Sequence, residues 1–188
     1  MRLATISSCS ESDYLGNEHG APDKHEYVAG EVFAMARASK RHGTLALNAA
    51  ISLRQHLRGQ PCDVWMTDMK VRVRADSAYY YPDVMVTCDP ADLGPAAPKG
   101  FLEAPKLVVE VLSDTTEPVD RREKLLSYRR LPSLHEYVLI DQNKPWVEVF
   151  RRTPAGWTQD IYEAGEVVRL ESVGLALSMA ELYADTGL

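Results

Sequence analysis

The sequence predicts an α/β (α+β) fold, strands and helices interleaved along one chain, with an N-terminal β-hairpin followed by a helix. Three observations carry this. Residues 69–74 alternate apolar and basic with period two, as a half-buried antiparallel strand does. Leu45, Leu47, Ala49, Ile51, Leu53 and Leu57 fit a helix that opens after Ser39 and stops at Gly59-Gln60-Pro61. The C-terminal third reads as short strands broken at Gly156 and Gly165.

Residues 1–23 carry Ser, Glu, Gly and Pro with little apolar periodicity and are read as a flexible arm; residues 24–188 are read as one domain. In that domain, Tyr27-Val28 and residues 31–35 form a hairpin, with Gly30 supplying the positive φ of a tight turn. Glu31 follows the turn. Ser39 caps the next helix, and His42 lies one turn inside it. Residues 62–67 and 69–74 are strands, the second with a basic face that suits either a soluble edge or a nucleic acid. Residues 89–105 hold too many prolines and glycines for regular structure. A strand over 107–112, a helix over 120–130, strands over 136–141 and 146–152, and a short helix over 178–183 complete the chain.

Composition narrows the function. With 45% hydrophobic and 26% charged residues, the chain has enough apolar material for one core, yet no run near the roughly 20 apolar residues that span a bilayer. A cytoplasmic protein with no membrane partner is expected, because the N-terminus makes a poor secretory signal. Cys9, Cys62 and Cys88 show no metal-ligand spacing and no disulfide framework, so three separate thiols are expected. The net charge of -6 opposes general affinity for DNA, but Arg121, Arg122, Lys124, Arg129 and Arg130 crowd one segment, and Lys70, Arg72 and Arg74 another.

Two carboxylates stand out. Glu110 interrupts an apolar run that reads as a strand buried on both faces, where an ionised side chain is costly unless it is paired or binds a cation. The bland account is that the sheet is wet at that point. Asp83 follows Pro82, yet Val84, Met85 and Val86 continue it as a strand rather than a loop. Two carboxylates on adjacent strands repel and are most stable around a divalent cation; a nearby lysine can orient a water or stabilise charge on a phosphate. Asp120 and Lys124, four apart, suit either this site or an ordinary surface helix pair.

The order Pro82-Asp83-Val84, Val109-Glu110-Val111-Leu112-Ser113, Asp120, Lys124, Tyr128-Arg129, Glu136-Tyr137 and Ile140-Asp141 resembles the Uma-type (DUF820-like) restriction endonucleases of bacteria. These are grouped in the PD-(D/E)XK nuclease superfamily. The resemblance implies a restriction-endonuclease-like core, with a mixed central β-sheet flanked by helices, and a metal-dependent DNA endonuclease using Mg2+ or Mn2+; a homodimer is expected because two cuts on a duplex suit a two-fold symmetric protein. The resemblance makes Asp83 and Glu110 the metal ligands. The lysine expected two residues after that glutamate is Leu112 here, and Lys124 is the displaced substitute. Glu31 matches a further acidic position, while Ser39, His42 and Asp120 become substrate contacts or supports of the site. The alternative is a catalytically inactive nuclease-fold dimer that binds nucleic acid or protein; in a third reading both carboxylates are structural.

Overall fold

The computed structural model describes residues 8–35, 38–114 and 116–188. In chain order the elements are α1 (Glu11–Glu18), β1 (His25–Val28), β2 (Glu31–Ala34), α2 (Lys40–His56), β3 (Asp63–Met66), β4 (Lys70–Val73), β5 (Ala78–Tyr80), β6 (Val84–Thr87), α3 (Pro90–Leu93), β7 (Phe101–Leu102) and β8 (Pro105–Leu112). A wide π-helical turn, Val119–Lys124, then runs into α4 (Leu125–Tyr128). β9 (Glu136–Asp141), β10 (Trp146–Thr153), β11 (Gly156–Glu163), β12 (Val167–Leu170), β13 (Leu175–Ser178) and α5 (Met179–Leu182) follow.

The predicted mixed α+β class is the one observed. A six-stranded sheet, β11-β10-β9-β8-β6-β3, stands beside a five-stranded sheet, β2-β1-β5-β4-β7, and β12 pairs with β13. In the larger sheet β8 is antiparallel to β6 and parallel to β9. Parallel neighbours need a crossover, and the π-helical turn with α4 supplies it. The chain passes from the smaller sheet to the larger through Tyr81-Pro82-Asp83, between β5 and β6. Pro82 has no N–H for either ladder, so it suits this crossing.

Strand alternation divides the core. Leu107, Val109 and Val111 of β8 pack with Leu45, Ala49 and Leu53 of α2, while Val108 and Leu112 pack with Tyr80, Tyr128, Tyr137 and Leu139. Glu110 shares the parity of Val108 and Leu112, so its side chain enters the second cluster. That face is not wet: Glu110 is 3% exposed. The strand is buried on both faces, as its apolar run implied.

Four details depart from the sequence reading. Residues 11–18 of the supposed arm form α1, capped by Ser10, whose side chain accepts from the Asp13 N–H. The helix buries one residue, Tyr14, among Tyr27 and Tyr79, and the Tyr14 hydroxyl donates to the His25 carbonyl at 2.7 Å. A single docked tyrosine leaves no periodic apolar stripe to read. The 89–105 loop holds α3 and β7, stapled by buried Asp92, which accepts from Thr87 Oγ1 and from the N–H groups of Glu103 and Ala104. β4 lies inside its sheet, so its basic residues do not decorate an edge: Arg72 pairs with Glu11 and Glu103, and Lys70 is buried, while Arg74, just past the strand, pairs with Glu103. Finally, Cys62 and Cys88 form a disulfide, and Cys9 is the free thiol. Asp63 faces Thr87 in the antiparallel β3/β6 ladder, so its next pair outward is Cys62 and Cys88; spacing along the chain gave no hint of that register. No helix among the described residues is long and apolar enough to cross a membrane.

This cross-link gives a direct test. The denatured, non-reduced protein should titrate with one thiol and the reduced protein with all three. Because the bridge spans a sequence separation of 26, chain-entropy reasoning gives reduction, or Cys88→Ser, a loss of about 3.5 kcal/mol in urea unfolding. Three thiols before reduction would refute the bridge.

Candidate functional site

Glu110 meets Lys124 at 3.1 Å across the second core cluster. Lys124 comes from the π-helical turn that crosses over from β8 to β9, which aims its side chain back at the strand. It also lies 3.2 Å from Asp120, one turn earlier, and 3.0 Å from Glu26 of β1. All four side chains are at most 6% exposed, so Asp120 and Lys124 are no surface pair. Tyr128 completes the group by donating its hydroxyl to Glu110 Oε1 at 2.9 Å. Both contacts of Glu110 thus fall on Oε1; its Oε2 accepts no hydrogen bond from the described residues.

Asp83 enters from the crossing between the sheets. Its Oδ2 accepts the Val111 N–H at 2.7 Å, and its Oδ1 lies 2.8 Å from His42 Nε2. His42 reaches it because Ser39 caps α2, accepting the His42 N–H and fixing the first turn. The Asp83 and His42 side chains, 17% and 14% exposed, open the cluster towards solvent. Tyr81 ties the crossing to β1, its N–H donating to Glu26 Oε1 at 3.3 Å.

The charges are unbalanced: Glu26, Asp83, Glu110 and Asp120 face one lysine and one histidine. Burial alone would pull the Lys124 ammonium down, but Glu110, Glu26 and Asp120 outweigh it and hold its pKa well above the usual lysine range. Lys124 is therefore a fixed cation and not a proton acceptor. Burial pushes Glu110 well above the usual carboxylate range; Lys124 opposes this, and Asp120, Asp83 and Glu26 add to it. Desolvation likewise raises Asp120. Burial lowers His42, but the hydrogen bond and charge of Asp83 win and raise it overall.

An excess of buried hard oxygen donors is the donor set of a divalent cation such as magnesium or manganese, so the residues fit such an ion in charge and chemistry. As placed, no three His, Cys, Asp or Glu among the described residues stand together as a ready ligand group. Lys124, Tyr128, His42 and the Val111 N–H occupy the carboxylates instead.

Of the residues singled out in the sequence, Asp83, Glu110, Asp120, Lys124 and His42 come together. Ser39 stands behind His42 as its cap, and its hydroxyl donates to Gln142 at 2.7 Å. Glu31 does not join them: it is exposed on β2, opposite Val28. The acidic side chain that the hairpin contributes is Glu26. On β1, Tyr27 faces Tyr14 and Tyr79, so period-two alternation sends Glu26 to the opposite face, towards Lys124. Its signal, a carboxylate inside a short strand, is the same one that marks Glu110. Tyr128 stands in the motif run without a role assigned to it, and Tyr81 is legible in the sequence only as an aromatic residue.

Comparison with known proteins identifies the family and the fold. The family model "Uma2: Putative restriction endonuclease" matches residues 12–180. Two uncharacterized proteins of Synechocystis are similar: slr1290, 33% identical over 96% of this chain and 94% of its own length, and sll1609, 32% identical over 76% and 80%. A crystal structure from Anabaena variabilis, described as "a putative nuclease belonging to DUF820", superposes with a TM-score of 0.75 at 16% identity, covering 93% of this chain and 97% of that one. At that identity the likeness concerns the fold.

Two measurements test the electrostatics. In the metal-free protein, the His42 ring followed by NMR should titrate above the roughly 6.5 of a free histidine and drop in Asp83→Asn. By linkage, the stabilisation from this pair is fully present below the unfolded pKa and fades as pH rises through the folded one. Lys124→Ala leaves buried carboxylates uncompensated and should cost about 3–5 kcal/mol in urea unfolding near neutral pH. That deficit should shrink as pH falls, because acids with raised folded pKa values lose their penalty on protonation. An equal deficit at both pH values would contradict the assignment.

Proposed function

The chain belongs to the Uma2 family, and from that premise we propose that it is a magnesium-dependent endonuclease hydrolysing phosphodiester bonds in DNA, with manganese as a substitute. The observation that carries the reading is Lys124, buried and held charged by Glu26, Glu110 and Asp120, beside an Asp83 that reaches solvent.

Asp83 and Glu110 would hold the cation. Bound there, it would supply Lewis-acid polarisation of a phosphoryl oxygen and a water of lowered pKa. The chain's own groups do the rest. The Val111 N–H and His42 fix the Asp83 carboxylate from either side. Tyr128 and Lys124 converge on Oε1 of Glu110, and Oε2 accepts no hydrogen bond from the described residues, so it is the oxygen that would serve a cation. Lys124 brings a positive charge to the negative charge that grows on the phosphoryl oxygens, and it needs no reorganisation because Glu26 and Asp120 already hold it. The lysine's usual place after the glutamate is taken by Leu112, which packs in the core; the π-helical turn delivers the same charge to the same face of β8. A homodimer, two such sites related by a two-fold axis, belongs to the same proposal because it suits two strands of a duplex.

Nicking of supercoiled plasmid with magnesium or manganese, and with chelator, tests this. Asp83→Asn, Glu110→Gln and Lys124→Met should each lower the rate by about 10²–10³-fold, the loss typical of removing one preorganised charge contact. Glu26→Gln should fall with them and Glu31→Gln should match the native protein, since Glu26 reaches Lys124 and Glu31 is exposed on β2. Unchanged nicking by Asp83→Asn would remove the site; absence of nicking by the native protein would remove the endonuclease reading.

A further inference from the structure

A cavity of about 540 Å³, within the range of small-ligand sites, is lined in part by Tyr81, whose N–H holds Glu26 of the carboxylate cluster. Three lysines line it, Lys24, Lys70 and Lys99, with the rings of Tyr81 and Phe101 and the carboxylate of Glu18. Lys70 is the anomaly. It is only 9% exposed, yet among the described residues its ammonium has a single hydrogen-bond acceptor, the Tyr81 hydroxyl at 3.3 Å. An ammonium carries three donors, so two of its N–H bonds have no acceptor among the described residues. A buried charge left so incompletely paired is costly.

The carboxylates nearby do not make up the deficit. Glu18 accepts from the Tyr81 hydroxyl at 2.9 Å, from the His25 N–H at 2.8 Å and lies 3.1 Å from His25 Nδ1. Asp68 is paired with Lys24. Burial consequently pulls the Lys70 pKa below the usual lysine range, Glu18 offsetting part of the effect. Lys99 is exposed at the mouth. Elsewhere the cations of this acidic chain are largely spent internally: Arg72 and Arg74 on Glu103, Arg121 on Glu117 and Glu148, Arg130 on Asp76.

We propose that this cavity is a phosphate-binding site, with Lys70 as its deep anion contact and Lys24 and Lys99 at its rim. Resting on the nuclease reading, its ligand is a phosphodiester of the same strand whose cleaved bond lies at Lys124. Tyr81 connects the two places: its ring lies 5.1 Å from Lys70 Nζ and 5.6 Å from Lys24 Nζ, and its N–H holds Glu26, which contacts Lys124. A phosphate seated on Lys70 would supply the missing acceptors and position the strand without touching the reacting groups.

Two probes test it in the full chain. The first is a short fluorescent duplex, bound without metal over a range of salt. Lys70→Gln should weaken binding about tenfold and lower the salt slope by about one, and Lys99→Gln should lower that slope with an intact fold. The second is millimolar inorganic phosphate at constant ionic strength, which should raise the melting temperature of the native protein and not of Lys70→Gln. Unchanged affinity, slope and phosphate shift in both variants would overturn the site. A Lys70-dependent phosphate shift in a protein that binds no duplex would keep the site, assign it to a free phosphate compound and remove the nuclease reading instead.

Discussion

A lysine ammonium buried among three carboxylates is the constraint on which the rest of the structure depends. Glu26, Glu110 and Asp120 each lie within 3.2 Å of Lys124 Nζ, and none of these groups is accessible enough for water to satisfy it. Removing one partner would leave uncompensated charge in the core, whereas replacing the whole group by apolar side chains of like volume would generally stabilise a fold. Packing alone therefore does not account for the cluster. A cluster with more negative than positive charge, opening through Asp83 and His42, is better matched to a ligand that supplies positive charge or receives it.

The topology exists to converge these groups. Glu26 comes from the smaller sheet, Glu110 from the centre of the larger one, Asp120 and Lys124 from the crossover between parallel neighbours, and Asp83 from the link between the sheets. Each sits where alternation or a crossover leaves no choice of direction. A register slip of one residue in β8 would turn Glu110 into the α2 face and replace it with an apolar side chain. The site is thus fixed by the same pairing that fixes the core, and π-helical turns recur at functional positions in proteins for a related reason: they aim side chains that a regular helix would not.

Much of this could be read in advance. Glu110 declared itself by breaking an apolar run, Asp83 by continuing a Pro-Asp step into a strand, and Ser39 by its place before a long amphipathic helix. What could not be read depends on long-range register. Glu26 and Glu31 flank one turn in similar short strands, and only the packing of Tyr27 on Tyr14 decides which carboxylate is buried. Cys62 and Cys88 become neighbours through the β3/β6 pairing alone. α1 adheres through one tyrosine, too little to leave a periodic signal.

The basic residues make the same point about function. A count of lysines and arginines in residues 120–130 suggested a surface for nucleic acid, but the fold spends several of them on itself. Arg121 bridges Glu117 and Glu148, Arg130 reaches Asp76, and Arg129 lies 5.5 Å from the Trp157 ring. Net charge and local charge density are properties of the chain, while affinity for a phosphate depends on cations that the fold leaves without an acceptor. By that criterion Lys70, with a single acceptor among the described residues, says more about a polyanionic ligand than the denser arginine run does. An acidic protein is therefore not disqualified from handling a polyanion: in the proposed reading Lys124 would serve the reacting group, and Lys70, one tyrosine away, would hold what is attached to it.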